Sequence, residues 1–455
     1  MTEFEQQYNF TKEEWENCLK VLHTLKKDPF ANPNNEQLGT LITKIFKLAK
    51  KLNRIDSFSV KKKQDLETIL NSEISKNAIQ NTTTYQENQQ KEQSFTKLNV
   101  PKNCYCCNSS FSFAHSFYNR LCPTCAELNY ENRFKSLDLT NRNVILTGGR
   151  IKIGYATALK MLRSNANLTV TTRFPATALT LFQEEKDYEH WKNNLVIYGL
   201  DLRNLKSVEN FIQYYKTTHQ TLDILINNAA QTIKYTDQYY TPLIANEQKL
   251  LKKFSNQQYL IANKIPVAKA TMLNQHVDLN HLELNRFGQP IDPRSKNSWN
   301  ATLQEISMQE LIEVNLINQI SPYFLIKELL PLLQKSHFLK KHIINVTSSE
   351  GQFSYQNKTM FHPHTNMTKA ALNMMTLTAA KDFEKNNVYM SAVDVGWIST
   401  GAQETLRKKQ FEKGYIPPLD PVDGAARIIH PIYENEQNNT IFTGKLLKNY
   451  KIESW

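Results

Sequence analysis

The chain has 455 residues, 40% of them apolar, with 55 Lys and Arg against 43 Asp and Glu for a formal charge of +12. That length and apolar content allow two or three domains, one of them with a large core. No apolar run approaches the roughly 18 residues of a membrane span, and the opening MTEFEQQYNF lacks the apolar stretch of a targeting segment, so a cytoplasmic protein is expected, with the nucleus as the second compartment. The positive charge suits an acidic partner, but no aromatic–basic interleaving or reader motif accompanies it, so nucleic-acid binding through the basic residues Lys44–Lys63 and the cysteine segment is kept only as the weakest reading.

Residues 1–70 read as a helical arm. Thr11 is placed to cap a helix carrying Glu13 and Glu14 in its first turn, with Trp15, Cys18, Leu19, Leu22 and Leu25 on one stripe. A second amphipathic run covers Leu38–Leu52, and the basic residues from Lys44 to Lys63 form a solvated flank or a docking face for a protein partner. Residues 71–100 are rich in Asn, Gln, Ser and Thr, which cannot repay ordering entropy by burial, and are expected to form a linker.

In residues 101–138 two CxxC pairs, Cys104/Cys107 and Cys122/Cys125, stand fourteen residues apart. Thiolates at this spacing grip one tetrahedral ion from two tight turns, so a structural zinc module is expected. Cys106 is an additional thiol, and His115 is not expected to ligate. Phe111, Phe113, Phe117 and Tyr118 offer an aromatic face for packing.

From residue 139 to 455 apolar runs alternate with helical patterns. A strand at Val144–Leu146 turns at Thr147-Gly148-Gly149 into a helix at about Ile153–Leu162, and a strand follows at Leu168–Thr172. Such a unit brings glycine backbone and a helix N-terminus close to a pyrophosphate. Further strands are expected at Leu195–Tyr198, Leu222–Ile226, His342–Thr347, Val388–Val393 and Ile441–Leu447, and helices at 205–216, Ser307–Leu333, from Met367 and at 422–431. Residues 231–300 form an insertion with a short helix expected at Leu250–Leu260, serving as a lid on a cleft or as a partner surface.

The motifs in order resemble the short-chain dehydrogenase/reductase family. Thr147-Gly148-Gly149-Arg150-Ile151-Lys152-Ile153-Gly154 resembles its dinucleotide turn, Asn227-Asn228-Ala229-Ala230 its NNAG, and Asp394-Val395-Gly396-Trp397 its nicotinamide loop. The resemblance implies a Rossmann-type α/β fold, a mostly parallel sheet with helices on both faces. It implies a cofactor held by Thr147, Gly148, Gly149, Lys152, Ile153, Gly154, Arg173, Asp201, Leu202, Asn227, Ala229, Lys369 and Gly396. The second strand ends at Arg173 rather than at a carboxylate, which favours NADP(H) over NAD(H). Lys152 stands where the family has glycine.

Ser348, Lys369 and Asn315 match the family's catalytic serine, lysine and relay asparagine. Its general acid, a tyrosine four residues before the lysine, is replaced by Thr365, an aliphatic hydroxyl too weak and too short for the role. Substitutes are Tyr355, His362, His364, or a water held by Ser348, Asn315 and Lys369. Two readings follow: an NADP(H)-dependent oxidoreductase on a small carbonyl or alcohol, and a non-catalytic scaffold of the same fold with a partner at residues 1–70 or 231–300. The resemblance also implies a homodimer.

Overall fold

A computed structural model describes residues 3–29, 35–82, 92–255, 260–261, 284–285, 287, 289–292, 294, 296–399 and 401–455. It divides into two units, Met1–Asp65 and Leu66–Trp455. In the first, Thr11 caps the helix Lys12–Lys27 through a reciprocal box, accepting from Glu14 N at 3.1 Å while Glu14 Oε2 accepts from Thr11 N at 2.7 Å. The next helix runs from Asn35 to Leu70, well past the expected Leu52. It holds no proline and a single glycine, Gly39, so no strong breaker stops it.

The expected linker carries structure at both ends. A helix spans Glu73–Ile79 and strand β1 spans Phe95–Asn103, while residues 83–91 lie outside the described residues. Its few apolar side chains find partners elsewhere: Ala78 packs with Phe411 and Ile416, and Ile74 and Leu98 join the main core. Tertiary contact supplies the burial that local composition lacks.

β1 pairs antiparallel with β2 (Ser110–His115), and the helix Pro123–Phe134 completes the four-cysteine segment. This segment packs on the helix Pro421–Asn438. Tyr118 donates to Asp423 Oδ1 at 2.6 Å, and Arg133 clamps Asp420 through both terminal nitrogens at 2.7 and 2.9 Å. The same two aspartates cap that helix, so the docking and the helix start share their acceptors.

The large sheet comprises β3 (Asn143–Thr147), β4 (Asn167–Thr172), β5 (Leu195–Gly199), β6 (Ile224–Asn227), β7 (Leu260–Ile261), β8 (Lys341–Thr347), β9 (Val388–Asp394), β10 (Leu446–Lys448) and β11 (Lys451–Glu453). Their order is β11-β10-β9-β8-β6-β3-β4-β5-β7, parallel except for the terminal β10–β11 hairpin. Asn449 and Tyr450 turn that hairpin with φ of 50° and 65°. Alternation along each strand feeds two cores. Val144, Leu146 and Ile226 face one, whereas Ile145, Leu225 and Ile343 face the other. This is the Rossmann-type α/β architecture expected from the motifs.

The last strand, expected at Ile441–Leu447, is the shorter Leu446–Lys448, followed by β11, and two helical elements also differ from expectation. In the insertion the helix is Asp237–Lys253, capped by Thr236, rather than a turn or two near Leu250–Leu260; residues 256–259 lie outside the described residues. The long helix after it is interrupted: Met308–Asn315 passes through a π-helical stretch, Leu316–Ile320, before Ser321–Lys335. Such a bulge rotates every side chain beyond it relative to a regular helix.

Candidate functional site

The strand order reverses between β3 and β6, and there the strand ends open into a cleft of about 920 Å³. Gly148 (φ +73°) turns the chain out of β3 against Ala229, and at Gly154 a Cβ would lie 2.0 Å from Gly148 O. Only glycine permits both approaches. Lys152 starts the helix Lys152–Arg163 at φ 55°, keeping the left-handed backbone that glycine would adopt, and its Nζ lies 5.0 Å over the Phe287 ring. The lysine therefore keeps the path of the turn, at a cost of about 1 kcal/mol.

The motif residues divide into a cleft face and a supporting layer. Gly148, Lys152, Ile153 and Gly154 line the cleft, as do Arg173, Asp201, Leu202, Ala229, Lys369 and Gly396. Thr147, Gly149 and Asn227 stand behind it. Thr147 Oγ1 accepts from the amides of Asn228 and Ala229 at 3.0 and 3.1 Å, a Cβ on Gly149 would meet Val170 at 2.6 Å, and Asn227 donates to Asn345 at 2.9 Å inside the sheet. Asn228 joins β6 to β3 by donating to Thr147 O and Gly148 O.

At the end of β4, Arg173 is joined by Arg150, which is buried and lies 5.0 Å over the Phe174 ring. Burial and the neighbouring Arg173 pull the Arg150 guanidinium down to about 10. Two cations held this close in a half-dry wall favour a bound anion of high charge. Tyr240, from the insertion helix, stacks on Arg173 at 4.9 Å, so the insertion flanks this end of the cleft. Asp201, one of the residues the resemblance implies for the cofactor, is paired with Arg203 at 2.7 Å.

At the other end Ser348, Thr365 and Lys369 share the wall. Thr365 Oγ1 donates to His362 O at 2.9 Å, a bond within its own helix turn. Lys369 Nζ donates to Val346 O at 2.8 Å, and desolvation lowers its pKa to about 8. His362, at φ 40°, stacks on Trp299 with centroids 4.7 Å apart, and its Nδ1 is 2.7 Å from Trp299 O. A carbonyl can only accept, so Nδ1 carries the proton. Tyr355 also lines the cleft, and burial raises its phenol. His364 does not reach the cleft; its Nε2 turns to Glu310 at 3.3 Å.

Asn315 is likewise placed elsewhere than the resemblance implied. Its amide donates to Leu311 O at 2.7 Å and accepts from Gln319. The asparagine in the cleft wall is Asn318, which accepts from Gln231 N at 2.8 Å and donates to Gln231 O and to Thr368 Oγ1. It lies on the π-helical stretch and on the buried stripe with Val314, Ser321 and Leu325. That stripe was the available signal, because Asn315 falls beside it.

The sulfurs of Cys104, Cys107, Cys122 and Cys125 all lie within 4.8 Å of one another, and the Cys107 and Cys122 sulfurs are 3.7 Å apart. Tetrahedral zinc–thiolate bonds of about 2.3 Å place sulfurs about 3.8 Å apart, so the cluster fits such an ion. Cys106 is outside that mutually close set, although its sulfur contacts those of Cys104 and Cys125 and lies 3.9 Å from Arg427 Nη2. His115 is outside too, its Nδ1 accepting from Phe117 N at 3.0 Å.

Residues 142–245 match the family profile described as short chain dehydrogenase, and residues 294–416 match one described as Enoyl-(Acyl carrier protein) reductase. Through these two segments the chain belongs to the short-chain dehydrogenase/reductase superfamily. Over 344 residues it is 33% identical to the uncharacterized protein R665 of Acanthamoeba polyphaga mimivirus, covering 72% of this chain and 71% of that protein. Over 96 residues it is 33% identical to dehydrogenase/reductase SDR family member 13 of Homo sapiens, covering 20% of this chain and 24% of that protein. Among solved structures, the Pseudomonas aeruginosa RhlG/NADP active-site complex aligns at a TM-score of 0.45 with 17% identity, over 68% of this chain and 95% of that one. The four cysteines lie outside both matched segments. Among the described residues no helix is long and apolar enough to cross a membrane.

Proposed function

We propose that this cleft binds NADP(H) and supports reduction of a small carbonyl, or oxidation of the corresponding alcohol, at an active site without a tyrosine acid. The observation that carries the cofactor choice is the pair Arg150 and Arg173, two guanidiniums at the end of β4, where the strand itself runs into Arg173 and not into an acidic residue. They are suited to a 2′-phosphate. Gly148, Gly154 and the N-terminus of Lys152–Arg163 would hold the pyrophosphate, and the Gly396 loop the nicotinamide end.

NADPH bound there supplies a hydride to a carbonyl carbon. Ser348 holds the substrate oxygen by a hydrogen bond. Lys369, protonated at neutral pH yet with its pKa lowered to about 8, stores the proton and delivers it through water in the space that a phenol would fill. Titration calorimetry with NADPH and NADH tests the binding. Arg150→Ala and Arg173→Ala should each weaken NADPH about 10- to 100-fold and leave NADH nearly unchanged. Equal loss for both nucleotides would refute the assignment.

A second reading is favoured by the hydroxyl of Thr365, already spent on His362 O, and by the saturated amide of Asn318. In it the cleft binds the dinucleotide without turnover, as a scaffold. Single-turnover mixing with a broad carbonyl panel separates the two. NADPH oxidation that disappears in Ser348→Ala supports chemistry, and tight binding with no oxidation supports the scaffold.

A further inference from the structure

The four-cysteine knuckle reaches into the dehydrogenase cleft. Between two of its cysteines stands Tyr105, whose hydroxyl accepts a hydrogen bond from Trp397 N at 2.7 Å and whose side chain lines the cleft. A Cβ at Gly396 would lie 3.3 Å from that hydroxyl, so the phenol presses directly on the loop Asp394–Trp397. The turn that presents Tyr105 is fixed on both sides. Tyr105 N donates to Arg120 O at 2.9 Å, and Asn108 N donates to Cys104 O at 2.9 Å.

A second tie crosses the same interface. Arg427, fully buried on the helix Pro421–Asn438, donates to Val395 O at 3.1 Å with one nitrogen. Its other nitrogen holds Asn129 Oδ1 at 2.7 Å and lies 3.9 Å from the Cys106 sulfur. Two residues of the loop are thus tied across this interface, Trp397 directly by Tyr105 and Val395 through Arg427, while Gly396 N donates to Asp394 Oδ1 within the loop. Gly396 takes a φ of +81°, one of two signs that glycine adopts about equally readily, so the loop path depends on its outside ties.

We infer that the metal knuckle is a working part of the dinucleotide site: the ion fixes the turn that carries Tyr105, and Tyr105 fixes the loop at the nicotinamide end. This rests on the cleft binding NADP(H). Tyr105 is a positioning residue. Metal and dinucleotide are then linked ligands, each raising the affinity of the other by the same factor.

The experiment compares NADPH with 2′,5′-ADP, which carries the phosphorylated adenosine but no nicotinamide, by calorimetry on metal-loaded chain, chelator-treated chain and metal-loaded Tyr105→Phe. Tyr105→Phe should keep its metal and bind NADPH roughly 3- to 10-fold more weakly, with 2′,5′-ADP unchanged within about twofold. Metal removal should weaken NADPH at least about tenfold, again sparing 2′,5′-ADP, and NADPH should slow release of metal to the chelator. Equal weakening of both nucleotides would mean general loosening and overturn the inference, as would no change in either. Should the loaded chain bind no NADPH, the cofactor reading itself falls, and hydrogen exchange at the Trp397 amide decides this one. Exchange about tenfold faster in Tyr105→Phe and in the stripped chain sustains the clamp, and unchanged exchange refutes it.

Discussion

Glu247 accepts hydrogen bonds from the Ala176 amide at 2.5 Å and the Thr177 amide at 2.9 Å, and so caps a helix to which it does not belong. The helix Pro175–Gln183 begins two residues after Arg173, whereas Glu247 comes from the insertion helix Asp237–Lys253. A buried carboxylate at a helix N-terminus satisfies amides that would otherwise be orphaned and faces the positive end of the helix. Truncation by Glu247→Ala should lower unfolding free energy by about 2 kcal/mol in urea titrations. It should also weaken 2′,5′-ADP binding a few-fold by loosening Arg173. Unchanged stability would mean that water caps the helix equally well.

The two asparagines of the helix after the insertion should behave differently. Asn318 is 1% exposed and pairs with both the amide and the carbonyl of Gln231, so Asn318→Ala strands buried polar groups at a cost of about 2–4 kcal/mol. Asn315→Ala removes bonds local to its own helix and should cost less than about 1 kcal/mol. Comparable losses in denaturant midpoint would contradict the placement of Asn318 in the cleft wall.

The metal centre should discriminate among neighbouring thiols. The purified chain should carry about one zinc, lost in Cys107→Ser and kept in Cys106→Ser, as measured by elemental analysis under reducing conditions. Stripping the metal should also lower the melting temperature, because the knuckle packs its aromatic residues Phe117, Tyr118 and Tyr130 into the main core. Retention of zinc by Cys107→Ser would place Cys106 in the ligand set.

Lys369 makes stability and binding respond to pH in opposite senses. Burial lowers its pKa to about 8, below the ordinary lysine value of about 10.4, so its charge burdens the folded chain at low pH. That burden is relieved as pH rises from about 8 toward 10.4, and Lys369→Met should flatten this segment of the stability profile. In the proposed binding mode the ammonium is the form that would donate to ribose hydroxyls, so binding would favour it. NADPH affinity should therefore fall above about pH 8, with proton uptake on binding there, measurable from the buffer dependence of the calorimetric heat. No proton uptake in the native chain would separate Lys369 from the cofactor.

Much of the cleft was legible in the linear chain because its parts are local. A glycine pair ahead of a helix, a strand ending in Arg173, and two CxxC pairs each express their geometry within a few residues. The alternation of strands and helices sufficed for the Rossmann-type sheet, since parallel strands joined by helices have few ways to pack. Local periodicity also contained Asn318, whose stripe with Val314 and Ser321 marks the buried face, although a motif match alone pointed to Asn315.

Other features depend on which surfaces meet. Residues 73–79 and 95–100 are polar enough to stay unfolded alone and are ordered by Phe411, Ile416 and the main core, far along the chain. Arg150 became a partner of Arg173 only when β3 and β4 lay side by side, and the insertion reached the helix at Pro175 only through Glu247. Tyr105 and Trp397 are 292 residues apart and share one hydrogen bond. Sequence spacing encodes what a turn or a helix can do by itself. Burial, charge pairing and the meeting of the four-cysteine segment with the Asp394–Trp397 loop are properties of surfaces, and these exist only after the chain has folded.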